Sequence, residues 1–280
     1  MQPPLLSPAS VVVPFTVIRA ANAAPFWTVL HENHTILRAA GLNTPDGALE
    51  LVDVDWYTTV EDVREAACVK LLLQLVADAA RQDQKIVRAL VWANKPSLTK
   101  AGLRSAGFSR MAALQVWTAP MDLSDDACSV GIIQRLPLTD GLTAERQRSL
   151  LELLHDCITD SHDLTSVSRP VPATLWKTWQ SLYRPELIAA AVEERNVGLA
   201  VLSRDNERHV ATLEYVGVGV HWRRHGHGRR LLRAARTPVH SGDLTSLVAY
   251  CDRDNIPAMR LYENCGFVAG EIGHIWMRTV

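Results

Sequence analysis

The groups best suited to holding a multiply charged anion lie in one stretch, Val216-Gly217-Val218-Gly219-Val220-His221-Trp222-Arg223-Arg224-His225-Gly226-His227-Gly228-Arg229-Arg230-Leu231-Leu232. A β-branched run enters it, a donor-rich loop follows, and a helix starts within it. The first turn of a helix leaves backbone N–H groups without partners and carries roughly half a positive charge. A diphosphate can satisfy them if no side chain blocks its approach. Gly226 and Gly228 keep that approach open and supply backbone freedom, while Arg223, Arg224 and Arg229 can add charge-assisted hydrogen bonds. Two other readings stay open on these residues alone: a strand-to-helix turn without a ligand, and a phosphate-contacting patch for nucleic acid. No Gly-Lys-Ser/Thr follows, so this is not a Walker loop, and Gly-x-Gly-x-x-Gly is not completed after Gly228.

About thirty residues downstream comes Asp254-Asn255-Ile256-Pro257-Ala258-Met259-Arg260-Leu261-Tyr262-Glu263-Asn264-Cys265-Gly266-Phe267. Asn255 suits a helix cap, Pro257 the first turn and Gly266 the C-terminal end; Ala258, Leu261 and Tyr262 share a face. Taken together, Arg223-x-x-Gly226-x-Gly228 after a strand and this second stretch resemble the two signatures of the GNAT N-acetyltransferase superfamily. The resemblance covers residues 130–280.

It implies acetyl-CoA, or another acyl-CoA, as co-substrate, bound by Val218, Val220, Arg223, Arg224, His225, Gly226, His227, Gly228, Arg229 and Asn255. It implies direct attack of a primary amine on the acetyl carbonyl, with the Val218 backbone N–H polarising that carbonyl. Tyr262 then protonates the departing thiolate; an ordinary phenol pKa near ~10 keeps its proton available at neutral pH. Glu214, four residues before Val218 and so on its side of a regular strand, is the candidate base, with a surface or strand-pairing role as the plainer reading and His221 as a weaker base. The acceptor is a small-molecule or peptide amine, with no metal, nucleic acid or membrane involved and a monomer or homodimer as the unit. A non-catalytic acyl-CoA sensor or interaction protein is the alternative function.

Composition agrees with this class. The chain has 280 residues, 48% of them hydrophobic and 21% charged, with a net charge of −1, so no overall field points to nucleic acid or membrane. No run reaches the ~18–20 apolar residues of a bilayer span. Five cysteines without a C-x-x-C pair argue for reduced thiols, a cytoplasmic setting and no zinc site.

The elements that must position the motifs read as mixed α/β. In the first half they are a strand over 10–19, a helical stretch over 27–40, a strand over 49–54, a long amphipathic helix over 60–80, a strand over 86–92, a helix with Pro96 early and Gly107 at its end, and a closing strand over 108–117. A linker is expected over 119–126. The second half reads as strands over 131–138, 187–192, 197–202 and 209–220, helices over 143–157 (capped by Thr143) and 174–182, a helix from Gly226 to about Arg236, a strand over 247–251, a helix over 257–264 and two short strands at 267–269 and 274–278.

Two segments recur between the halves: Leu49–Asp55 with Leu213–Gly219 at an offset of 164, and Asn94-Lys95-Pro96 … Gly107-Phe108 with Asn255-Ile256-Pro257 … Gly266-Phe267. The expectation is a tandem arrangement of two GNAT-like domains, each a mixed, mostly antiparallel sheet flanked by helices: a degenerate one over 1–122 and a catalytic one over 128–280. The first half carries Glu61-Asp62 where a helix should open, a charge that repels diphosphate, and Leu103 where the second has Tyr262.

Overall fold

The computed structural model describes residues 15–20, 26–43, 48–57, 59, 61–92, 98–121, 133–138, 142–159, 161, 171–182, 185–193, 195–205, 208–237 and 244–280. The chain divides into two compact units, residues 1–110 with 275–280, and residues 111–274.

The first unit contains β1 (Phe15–Ala20), β2 (Phe26–His31), β3 (His34–Asn43), β4 (Ala48–Trp56), α1 (Glu61–Arg81), β5 (Ile86–Trp92) and α2 (Lys100–Ser105). Its strands follow one another in order, antiparallel up to β4, with β5 parallel to β4 across the α1 crossover. The expected helix over 27–40 is instead the β2–β3 hairpin. Trp27 and Val29 on one strand and Leu37 and Ala39 on the other are buried, a period of two. The turn between them is Glu32-Asn33, both at positive φ (50° and 66°), the conformation that a two-residue hairpin loop requires.

Helix α1 forms as expected because Ala67, Cys68, Leu71, Leu72, Leu75 and Ala79 make one buried stripe. Each buried leucine stabilises by about 1.5–3 kcal/mol. Asp78 is also buried there, accepting from the Trp27 indole N–H at 2.8 Å and the Arg81 guanidinium at 2.6 Å. Thr99 caps α2 and Gly107 ends it at φ +77°; Pro14, Asn94, Lys95 and Pro96 lie outside the described residues.

The second unit takes β6 (Ser109–Pro120) from Met111 onward, then β7 (Ile133–Pro137), α3 (Ala144–Ile158), α4 (Pro172–Gln180), β8 (Glu186–Val192), β9 (Arg195–Asp205), β10 (Val210–Val218), α5 (His227–Arg236), β11 (Ser246–Asp252), α6 (Ile256–Asn264) and the start of β12 (Val268–Thr279). The order within its sheet is β6-β11-β10-β9-β8-β7. The strand expected to close the first half is β6, and its partner is β11, from Pro120↔Ser246 to Leu114↔Asp252. Residues 119–120, expected in a linker, therefore sit in a strand, while residues 122–130 lie outside the described set. The two short terminal strands are one, β12.

Helices α3 and α4 cover one face, with Leu187 and Ala189 of β8 beneath them. Helices α5 and α6 cover the other, over Ile188 and Ala190. Both faces of β8 are buried, which is why it reads as a continuous apolar run rather than an alternation. The architecture is the expected mixed α/β fold of sheets flanked by helices.

Candidate functional site

The crossover β10–α5–β11 builds the site. Strand β10 pairs in parallel with β11 from Val210↔Ser246 to Leu213↔Ala249 and no further, although β10 runs on to Val218 and β11 to Asp252. Beyond Leu213 the two strands part, and a cleft of ≈ 690 Å³ opens there. The register of β10 against β9 shifts at the same place: Leu213 faces Leu202 and Tyr215 faces Val201, leaving Glu214 as the extra residue of a bulge. The bulge breaks the strict alternation on which the sequence reading placed Glu214 beside Val218. Ala211 and Leu213 pack toward α5 before it, Val216 and Val218 after it. Glu214 nevertheless lines the cleft with Val218.

Helix α5 opens with its N-terminus on this cleft. Gly226 is its N-cap at φ +83°, and no side chain caps the helix. The amides of His227, Gly228 and Arg229 therefore have no helical partner, the first intrahelical bond running from Arg230 N–H to the Gly226 carbonyl at 3.1 Å. The two glycines differ in role. A Cβ on Gly226 meets nothing within 4 Å, so the left-handed backbone is what requires glycine there. A Cβ on Gly228 comes within 3.0 Å of Leu261, so glycine there lets α6 pack close.

Of the expected site residues, the cleft gathers Glu214, Val218, Arg223, Arg224, Gly226, His227, Gly228, Arg229, Asn255 and Tyr262; Val220 and His225 are not among its lining. Gly219 N–H donates to Val197 O of β9 at 2.9 Å. Successive strand amides point to opposite edges, so the Val218 N–H faces the side from which β11 has parted. Tyr262 is 5% exposed, its ring 5.8 Å from Trp117 and 5.2 Å from Phe267. Asn255 caps α6 by accepting from Ala258 N–H at 3.2 Å.

Arg223 is used differently from the expectation. Its guanidinium donates to three backbone carbonyls, Val218 at 3.1 Å, Cys157 at 3.1 Å and Thr159 at 3.0 Å, and so braces the loop rather than projecting from it. His227 is 5% exposed, with Nδ1 buried and without a hydrogen-bond partner. Desolvation, helped by Arg230 and His225, holds its imidazole below the usual histidine range.

The carboxylate of Glu214 accepts from the Ser203 hydroxyl. The residue exposes part of its side chain, yet protein crowds the carboxyl enough that desolvation outweighs this bond and raises its pKa. Four cleft residues carried no sequence signal: Tyr250 and Cys251 on β11, and Cys157 and Ser161 at and just beyond the end of α3, more than fifty residues upstream of the loop. Burial, with Glu214 and Glu271 nearby, raises the Tyr250 phenol. Burial also pushes the Cys157 thiol up to about 12, so it stays protonated and is a poor nucleophile at neutral pH. Among the described residues there is no cluster of three His, Cys, Asp or Glu able to hold a metal, and no helix long and apolar enough to cross a membrane.

Residues 148–267 match the model of the acetyltransferase (GNAT) family. Among solved structures, the chain is similar to a GCN5-related N-acetyltransferase from Sphaerobacter thermophilus, with 15% identity, TM-score 0.60, and 91% of this chain and 80% of that one covered. It is similar too to a tandem GNAT protein from the clavulanic acid biosynthesis pathway, with 15% identity, TM-score 0.62, and coverage of 92% and 83%. At that identity both likenesses speak for the fold alone. A 150-residue stretch is 34% identical to the PKS-NRPS hybrid synthetase cheA of Chaetomium globosum; it takes in 51% of this chain and 3% of the synthetase. The residues that match the family model lie within the second unit.

Proposed function

We propose that the protein is an acyl-CoA-dependent N-acyltransferase that moves an acetyl group from acetyl-CoA to a primary amine by direct attack, the second unit being the catalytic domain and the first a non-catalytic copy. The observation that carries this reading is the α5 N-terminus: three amides without a helical partner, with a left-handed glycine before them, opening on the cleft where β10 and β11 part. These features suit a diphosphate, because nothing caps the helix in its place. Arg224 and Arg229 add positive charge at the same rim.

The chemistry that follows is attack of an amine on a thioester. The Val218 N–H suits the carbonyl oxygen as negative charge develops on it. Glu214 accepts the proton the ammonium must lose, and its raised pKa brings it closer to neutral, where a base works best. The Tyr262 hydroxyl supplies a proton to the thiolate that leaves. Cys157, protonated at neutral pH, is a poor nucleophile for an acyl-enzyme route.

The test is release of the CoA thiol from acetyl-CoA, followed across a panel of primary amines. Turnover with at least one amine is expected. Tight acetyl-CoA binding without turnover on any amine would point to a sensor instead.

A further inference from the structure

The loop that precedes α5 does not stand alone: side chains of the last turn of α3 pack onto Gly217 of β10 and Gly219 of the loop, and a three-way hydrogen bond joins the two segments. A Cβ on Gly217 would come within 2.9 Å of the Cys157 Cβ, and a side chain on Gly219 would run into the Asp156 carboxylate. A Cβ on Gly217 would also crowd the Tyr215 ring of the same strand, so the two glycines leave room for both Tyr215 and the end of α3. Across the same seam Arg223 donates from Nε to the Val218 carbonyl at the end of β10 and from a terminal nitrogen to the Cys157 and Thr159 carbonyls at the end of α3. The last carbonyls of a helix have no intrahelical donors, and a cation is favoured there. Arg223 therefore does for α3 what a cap would do, and ties that cap to the β10–α5 loop.

From this geometry we infer that Arg223 is a positioning residue, latching the C-terminal turn of α3 to the loop so that both keep the shape the cleft needs. Ser161, just beyond that turn, lines the cleft with the amides of α5, so the latch joins two walls of one site. The inference rests on the acyl-CoA reading of that cleft. It departs from the sequence expectation that Arg223 binds phosphate through its charge, and the two roles weigh donors and charge differently. The latch works chiefly through hydrogen bonds to neutral carbonyls, whereas a phosphate partner depends more on the positive charge.

The test is acetyl-CoA binding by calorimetry to the full chain and its variants, with thermal melting of each ligand-free protein. Arg223→Ala is expected to weaken binding by about 10-fold or more, since several hydrogen bonds from a charged donor are lost together. Arg223→Gln, which keeps donors without charge, is expected to stay within about 3-fold of wild type and to restore the melting temperature that Ala loses. Gly219→Ala should weaken binding as well, and adding Asp156→Ala should recover most of it, because the clash is then gone. A Gln variant as weak as Ala, an Ala variant equal to wild type, or a Gly219/Asp156 pair without recovery would each overturn the latch. If Arg223→Ala does not fold, the Gln variant and the paired substitutions still decide. Wild type that binds no acyl-CoA would remove the acyl-CoA reading, while the Ala-against-Gln melting difference would still report on the latch.

Discussion

The crossover that carries the candidate site occurs twice in this chain, as β4–α1–β5 and as β10–α5–β11, and the frames agree closely. In each, the parallel pair lasts four residue pairs, Ala48↔Ile86 to Leu51↔Ala89 in one and Val210↔Ser246 to Leu213↔Ala249 in the other. In each, the first strand then shifts register against its antiparallel neighbour, with Val52 or Glu214 as the extra residue. The second helices agree too: Phe108 N–H donates to Leu103 O at 2.9 Å and Phe267 N–H to Tyr262 O at 3.0 Å, with Gly107 and Gly266 at φ +77° and +79°.

What differs is the connection. Four residues, 57–60, separate β4 from α1, and α1 opens on Glu61 and Asp62. Eight residues, 219–226, separate β10 from α5, which has no acidic residue in its first turn and a left-handed glycine before it. Apolar packing is enough to keep the frame; the proposed anion site rests on the longer loop, the glycine and the absence of negative charge. The comparison also corrects the repeat. Matched pairing sets Leu51 against Leu213, an offset of 162 in these strands, whereas the helix starts Glu61 and His227 lie 166 apart, so no single offset carries through the connection.

Exchanging features between the copies sharpens this contrast. The largest effect is expected from Tyr262→Phe, which gives the second helix an unreactive side chain as Leu103 already is in the first. Single-turnover thiol release should slow by ~10²–10⁴ with acetyl-CoA affinity little changed; an unchanged rate would return Tyr262 to the core as a packing residue. Next is Gly226→Glu, which combines the wrong backbone and the wrong charge at the α5 start. It should weaken acetyl-CoA by roughly 10–100-fold, since an αL residue costs about 1–2 kcal/mol and a carboxylate at a helix N-terminus opposes an incoming anion. Equal affinity by calorimetry would remove the loop from the account.

A smaller effect concerns Glu214, where the first unit has Val52. In its proposed role as base it must be ionised, so kcat/KM should fall as pH drops through a pKa above the ordinary glutamate range, and Glu214→Gln should abolish that limb of the profile. Stability moves with the opposite sign. A carboxyl whose folded pKa is raised favours the folded state while protonated and loses that contribution as pH rises through the unfolded and then the folded pKa. Glu214→Gln should therefore raise the melting temperature slightly near pH 7–8, and less at pH 4. The smallest effect belongs to Glu61→Gln with Asp62→Gln. Neutralising α1 should leave the first unit without measurable acyl-CoA binding, because its short connection remains; a new site there would show that charge alone distinguishes the copies.

Much of this was legible in the sequence, and what was not has local causes. The α1 stripe, the Thr143 and Asn255 caps and the Gly226 turn declare themselves by period and residue type. The β2–β3 hairpin was hidden because its turn is Glu-Asn rather than a glycine pair, so its apolar residues passed for helical spacing. The bulge at Glu214 leaves no mark in a run of residues that all suit a strand. Arg223 was assigned by charge, whereas its partners are carbonyls of α3, a choice made by tertiary packing. Tyr250, Cys157 and Ser161 reach the cleft only once the chain has folded.

The central claim is that the amides opening α5 hold the diphosphate of an acyl-CoA. Titrating acetyl-CoA into the isotope-labelled protein and following the backbone amide signals tests it most directly. The account predicts saturable shifts at His227, Gly228 and Arg229, larger than at Glu61, Asp62 and Val63 of α1. Saturation that leaves those three α5 amides unmoved while other residues respond would contradict it.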